Sequence, residues 1–307
     1  MRNPWLSKKF KIYSHKITTP LVLYHDSDWH VGPESNLNRM ITIQEEVKQI
    51  KPDFRIISGD IIDDTRTLDS DNRKIIADML EESNHICPTI VSIGNHDIAK
   101  KNGPNELDWE KDIRLDWFQE ISQKTDSYLV EENKIFEGTV YFDDQIEIVC
   151  INPPYEHYFK KEEAKEDFLN IYRNKNIHFY TGEDHYHILV LHTPAVAPEL
   201  VNELPILQEA DIILSGHMHA GIMPPYLRPI MNHTKSHWGL RTPNNQLLWN
   251  AKYCYGELDK DGKKFLINPG VTKIAPEKGF LQVLNHFLPN ESYQIELLPE
   301  KQKVLTR

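Results

Sequence analysis

Five short polar blocks occur along the chain in order: Asp28-Trp29-His30, Gly59-Asp60-Ile61-Ile62-Asp63, Gly94-Asn95-His96-Asp97, His192, and Gly216-His217-Met218-His219. They offer carboxylates, one carboxamide and several imidazoles, which are donors suited to two adjacent divalent cations. One histidine is left over. Paired cations lower the pKa of a bound water, polarise a phosphoryl oxygen and stabilise developing charge, the chemistry of metal-assisted phosphoester hydrolysis. No block is specific alone, because DxH and GHxH are common in solvated loops. Five of them, each behind an apolar run, are hard to obtain without a shared site.

The residue types divide the work. A carboxylate can bridge two cations through its two oxygens, and Asp60 is the candidate. Asn95 offers a neutral carbonyl oxygen, and the histidines offer neutral ring nitrogens. No cysteine joins the set, which argues against a structural zinc site. Mixed nitrogen and oxygen ligation suits Mn, Fe, Zn, Ni or Co and does not choose among them.

The elements that must position these residues follow from the apolar pattern. Strands are expected at 21–25, 54–58 and 89–93, with helices at 38–50 and 72–82 between them. That βαβαβ rhythm predicts parallel strands with helices outside. A further helix is expected around 106–123. Segments 134–142 and 145–152 flank Asp143-Asp144 and read as a hairpin. Helical character is expected over 156–173 and 198–207, and strands at 186–192, 211–215, 265–268 and 293–297. Each candidate ligand then falls at the C-terminal end of a core strand, the edge where open α/β sheets gather ligands. Glycines 59, 94 and 216 permit tight turns there. The chain reads as one domain over 1–307, with its motif-bearing core at about 21–270 and C-terminal strands in 271–307.

The 307 residues include 35 Lys and Arg against 46 Asp and Glu, a net charge of −11. Such acidity disfavours stable, nonspecific nucleic-acid binding, which relies on basic contacts to phosphate. It permits a nucleotide substrate, because bound cations reverse the local field. Cys87, Cys150 and Cys254 are odd in number, widely spaced and free of CxxC spacing, a pattern that favours a reducing, cytoplasmic setting. The start of the chain has no signal-like apolar core, and no stretch approaches a transmembrane length. Arg2, Lys8, Lys9, Lys11 and Lys16 could make peripheral contact with an anionic membrane. A solvated lead-in strand over 10–17 is the simpler reading.

The five blocks resemble those of the calcineurin-like metallophosphoesterases, whose pattern is DxH, GDxxD, GNH(D/E), H and GHxH. All five are present, and the resemblance spans roughly 21–270. It implies that Asp28, His30, Asp60 and His219 hold one ion, and that Asp60, Asn95, His192 and His217 hold the other. His96 would lie beside the metals without binding them, oriented by Asp63. A metal-bridging hydroxide would attack phosphorus, and His96 would protonate the leaving group or stabilise the phosphoryl oxygens. The implied fold is α/β, a two-sheet β-sandwich flanked by helices in four α/β/β/α layers. More narrowly, the segment Gly216 to Ile222 is similar to the GHTHGGQ block of a single-domain bacterial branch. It departs by Met218, Ala220 and Ile222.

Other polar residues have plainer readings. Asp26 reads as a turn residue or hydrogen-bond acceptor, and Asp97 as a partner of the ligands or a helix cap. His25, His185 and His187 read as packed or surface positions, and Asn268-Pro269-Gly270 as a structural turn. In the loop at 222–250, Tyr226, Arg228, His233 and Arg241 could contact a phosphate or a base, or belong to ordinary surface. The leading functional reading is a phosphodiesterase or phosphomonoesterase acting on a small phosphoester or nucleotide. The alternatives are a DNA nuclease, a lipid-linked pyrophosphatase, a protein phosphatase, and a noncatalytic scaffold on the same fold. The scaffold reading sits poorly with an intact ligand set.

Overall fold

A computed structural model describes residues 7–32, 37–63, 69–101, 109–111, 128–129, 138–142, 144–151, 169, 177–194, 197–219, 240–241, 247–249, 253–271 and 290–300. Their apolar runs form two six-stranded mixed sheets. The first runs β1 (Lys8–Ser14), β16 (Tyr293–Pro299), β2 (Leu21–Asp26), β3 (Phe54–Ile57), β4 (Thr89–Val91) and β7 (Tyr128–Leu129). The second runs β14 (Gly256–Lys260), β15 (Lys263–Ile267), β11 (Ile212–Ser215), β10 (Tyr186–Leu191), β9 (Ile146–Ile151) and β8 (Gly138–Phe142). Two small ribbons pair β5 (Ala99–Lys101) with β6 (Trp109–Lys111), and β12 (Leu240–Arg241) with β13 (Leu247–Trp249).

The period of two along each strand sorts side chains into layers. In β3, Phe54 and Ile56 enter the cluster between the sheets, while Ile57 joins the outer cluster under α1 (Leu37–Ile50) and α2 (Ser70–Ile86). In β10, Ile188 and Val190 face inward, while Leu189 and Leu191 join the opposite outer cluster with Leu200, Leu204 and Leu207. Helix, sheet, sheet and helix therefore stack in four layers. Burial on both faces explains the nearly continuous apolar strands. Asp69 caps α2, its side chain accepting from Asn72 N at 2.8 Å.

The parallel strands bring their C-terminal ends to one edge. Strands β2, β3 and β4 run parallel in one sheet, as do β9, β10, β11 and β15 in the other. The hairpin of β8 and β9 is antiparallel as expected.

Two expectations need correction, and one hairpin was not foreseen. Within 106–123, the described part Trp109–Lys111 is a strand rather than a helix, since Ala99–Lys101 supplies an antiparallel ladder. The remainder of that span lies outside the described residues, as does all of 156–173 except the helical Leu169. The helix expected over 198–207 is broken into a 3-10 turn at Ala197–Glu199 and a helix at Pro205–Glu209. Leu204 is extended there, with φ −115° and ψ 119°, because the following proline ring disfavours helical backbone. Finally, β14 and β15 form an unexpected hairpin whose turn carries positive φ at Asp261 and Gly262. The Asp-Gly pair was its sequence signal.

Candidate metal centre

Loops leaving β2, β3, β10 and β11 meet at the shared edge. The first two run side by side: Asp28 N donates to Gly59 O at 2.9 Å, His30 N to Asp60 O at 3.0 Å, and Val31 N to Ile61 O at 2.8 Å. Across the two sheets, His217 N donates to Asp28 Oδ2 at 3.0 Å. Asp28, His30, Asp60, His217 and His219 all have positive φ, between 41° and 65°. Each such conformation costs about 1 kcal/mol or more, and it persists only where surrounding contacts enforce it. Their clustering at one place marks a backbone shaped to aim side chains.

Donor atoms converge in separate groups. Asp28, His30 and His219 form one trio, and Asp60, His192 and His217 another, with the atoms of each trio within 4.8 Å of one another. His219 Nε2 lies 3.0 Å from Asp28 Oδ1, and His192 Nε2 lies 3.1 Å from Asp60 Oδ2. His30 Nε2 stands between them, 3.7 Å from both Asp28 Oδ1 and Asp60 Oδ2. The buried Asn95 presents an Oδ1 that makes no hydrogen bond, and Asp60 Oδ2 accepts none either. Leaving buried acceptors so is costly without a cation or donor to satisfy them. The donor set and these oxygens therefore fit two mixed-ligand metal ions.

The electrostatics agree. Burial works against charge on Asp28, yet His219, His30 and His192 hold its carboxyl well below the usual range. Asp60 is likewise lowered despite burial, chiefly by His192 and His96. The carboxylates in turn overcome burial at His30 and His192, raising each to about 9. Burial and the neighbouring His192 push His217 down to about 3, and burial lowers His96 and His219. A field that draws protons onto two buried imidazoles is one that also attracts cations.

Surrounding groups set ligand direction. His192 Nδ1 donates to Ser58 O at 2.7 Å, leaving Nε2 toward Asp60. Asp97 is a clamp rather than a ligand: it accepts from Asp60 N and Gly94 N on Oδ2 and from Ile61 N and Ile62 N on Oδ1, at 2.7–3.1 Å. Gly94 is obligatory, since a Cβ there would strike Asp60. Asn268 joins the edge from behind, donating to His25 O at 3.1 Å and accepting from Gly270 N at 2.8 Å.

His96 and Asp63 lie at the rim. His96 Nδ1 approaches the Asp63 carbonyl oxygen at 2.5 Å, and its ring meets His30 edge-on at 4.5 Å. Asp63 thus reaches His96 through its backbone. Its exposed carboxylate instead lies 3.7 Å from His30 Nδ1. His187 belongs to a distant network with Thr181 and Asp211, and His25 pairs with Ser58. Tyr226, Arg228 and His233 lie outside the described residues. Arg55, missed in the sequence reading, is fully buried against Asp26. Its signal was a cation inside an apolar strand.

A model of the calcineurin-like phosphoesterase family matches residues 21–221. The chain belongs to this family. It is 22% identical over 231 residues to F40B5.2 of Caenorhabditis elegans, a protein named for a metallophosphoesterase, covering 73% of this chain and 41% of that one. The chain thus spans about two-fifths of the length of that curated relative. Among solved structures it is similar to the phosphopantetheinyl hydrolase PptH of Mycobacterium tuberculosis, at 14% identity and TM-score 0.38, covering 81% of this chain and 89% of that chain. It is also similar to a dimetal phosphatase of Danio rerio, at 12% identity and TM-score 0.42, covering 84% and 90% respectively. At these TM-scores the overlays carry no weight; the fold rests on strand order and layering, and the family on its matched residues.

Proposed function

We propose that this calcineurin-like phosphoesterase chain is a dinuclear metal-dependent phosphoester hydrolase, a phosphodiesterase or phosphomonoesterase of small phosphoesters or nucleotides. The observation that carries the reading is the pair of Asp/His trios where the strand ends of the two sheets meet, buried except for the half-buried His217, with His30 between Asp28 and Asp60. In this reading Asp28, His30, Asp60 and His219 hold one ion, and Asp60, Asn95, His192 and His217 the other. When bound, the two ions would lower the pKa of a water and neutralise charge on the phosphoryl oxygens.

The chain's own groups do the rest. Ser58 O holds one proton of His192 on Nδ1, so that Nε2, beside Asp60, is the nitrogen that would give up its proton to ligate an ion. The Asp63 carbonyl accepts from His96 Nδ1 and fixes the ring, which leaves Nε2 as the nitrogen that would take a proton from water and hand it to the leaving oxygen. The Asp97 clamp keeps the Asp60 and Asn95 loops together. The single-domain organisation and placement in the GHTHGGQ-bearing branch are also proposals, the latter supported by Gly216, His217, His219 and Gly221 alone.

Among the described residues no helix is long and apolar enough to cross a membrane. Cys87, Cys150 and Cys254 are buried, and their odd number and wide spacing favour a reducing, cytoplasmic setting.

The test is hydrolysis of bis-p-nitrophenyl phosphate and p-nitrophenyl phosphate with added Mn²⁺, beside Asp60→Asn. Metal-dependent turnover that Asp60→Asn abolishes is expected. A chain that binds no metal would overturn the reading in favour of a scaffold. Preferred cleavage of linear DNA would point to the nuclease.

A further inference from the structure

We propose that Arg55 is a positioning residue for the metal centre: with Asp26 it anchors Trp29, and so fixes the turn that aims Asp28 and His30. The inference rests on the metallohydrolase reading above. Arg55 and Asp26 are both fully buried under the α1–α2 layer. Arg55 Nε donates to Asp26 Oδ1 at 2.9 Å and Nη2 to Oδ2 at 2.7 Å, a bidentate pair. Its Nη1 donates to Gln44 Oε1 on α1 at 2.5 Å and to Ser83 Oγ on α2 at 3.1 Å. The guanidinium is therefore fixed from three elements, β2, α1 and α2.

The pair has a further client. Trp29 Nε1 donates to Asp26 Oδ2 at 2.6 Å, and the Trp29 ring lies 5.2 Å from the guanidinium. Trp29 is the residue between Asp28 and His30, both of which have left-handed backbone, with φ of 57° and 46°. Trp29 joins the outer apolar cluster with Met40, Val47 and Leu80, while its two neighbours face the other way, toward His219 and Asp60. Anchoring the indole on one side thus sets where two ligands point on the other.

Stability does not account for this arrangement. A buried ion pair contributes little over apolar residues of similar volume, because desolvation offsets the attraction. What such a pair adds is direction, and the group directed here is the middle residue of the ligand turn. The backbone bonds from Asp28 N and His30 N to the neighbouring loop also hold the turn. The experiment separates these two restraints.

The parent, the double variant Asp26→Leu/Arg55→Met and Trp29→Phe would be compared by equilibrium dialysis against Mn²⁺, with free Mn²⁺ read by electron paramagnetic resonance. Thermal unfolding would report the fold. The double variant removes both charges together, leaving no unpaired ion in the core; Trp29→Phe keeps an aromatic ring but removes the N–H together with part of the buried indole. In each, one of the two Mn²⁺ ions should bind about 10- to 100-fold more weakly, the usual effect of losing a group that orients a ligand. The other ion should keep its affinity, and raising Mn²⁺ should restore turnover without altering KM for p-nitrophenyl phosphate. Parent affinity for both ions in a folded double variant would overturn the proposal. If the double variant fails to fold, parent affinity in Trp29→Phe would overturn it instead. A parent that binds two Mn²⁺ yet hydrolyses no phosphoester would defeat the functional reading and leave the Mn²⁺ comparison intact.

Discussion

The Asp97 clamp makes a prediction whose sign is open to measurement. Asp97 is fully buried and accepts four backbone N–H groups, from Asp60, Ile61, Ile62 and Gly94. Opposing these bonds, burial and the Asp60 charge push its carboxyl up to about 7. Asp97→Asn keeps the shape, but its single carbonyl oxygen can accept only two of the four donors. The new NH₂ would face the other two. Two buried N–H groups left unsatisfied cost about 1–3 kcal/mol each, or about 2–6 kcal/mol together. Relief of the repulsion from Asp60 acts the other way. Four acceptor contacts at ordinary hydrogen-bond distances should outweigh one like-charge neighbour, so a net loss is expected. Against a typical domain stability of about 5–15 kcal/mol, that loss is large. The assay is urea unfolding at neutral pH with EDTA, followed by far-ultraviolet circular dichroism, so that metal binding does not enter. Stability within about 0.5 kcal/mol of the parent, or above it, would refute the reasoning. It would mean that burial and repulsion cancel the clamp.

Gly216→Ala should abolish tight Mn²⁺ binding, because a Cβ there would collide with Ser27 and lie 2.6 Å from Asp28 Oδ2; dialysis would show it. The contrast is Gly262→Ala, where φ is +77° but nothing lies within 4 Å, so a loss of about 1 kcal/mol with unchanged Mn²⁺ binding is expected. His96→Gln should retain both ions, measured by elemental analysis, while kcat falls about 100- to 10,000-fold; unchanged kcat would remove His96 from the mechanism. Cys87 and Cys150 are buried, which pushes their thiols up to about 11 and about 12, so neither should react with Ellman's reagent in the native protein at pH 8. Denaturant should expose them, and rapid native labelling of either would contradict the packing.

The sequence by itself carried the strand-and-helix order of the first half, because apolar runs behind glycine-rich polar turns are local signals. It also carried the identity of the candidate ligands and their place at the strand ends. Where a local signal met competition, it failed. Trp109–Lys111 took a ladder partner, and Pro205 restarted a helix that periodicity read as continuous. Only the tertiary structure decided how the candidate ligands group, since Asp28 meets His219, and Asp60 meets His192, across more than one hundred residues of chain. It also supplied the partners of three residues whose general roles the sequence suggested: Asp97 beside the candidate ligands, Asp63 as the group orienting His96, and Asp26 as a hydrogen-bond acceptor. Asp97 became a clamp on four amides, Asp63 reached His96 through its carbonyl, and Asp26 found Arg55. Composition and spacing name the donors; which donor faces which acceptor depends on backbone direction and burial, and those exist only once both sheets have packed.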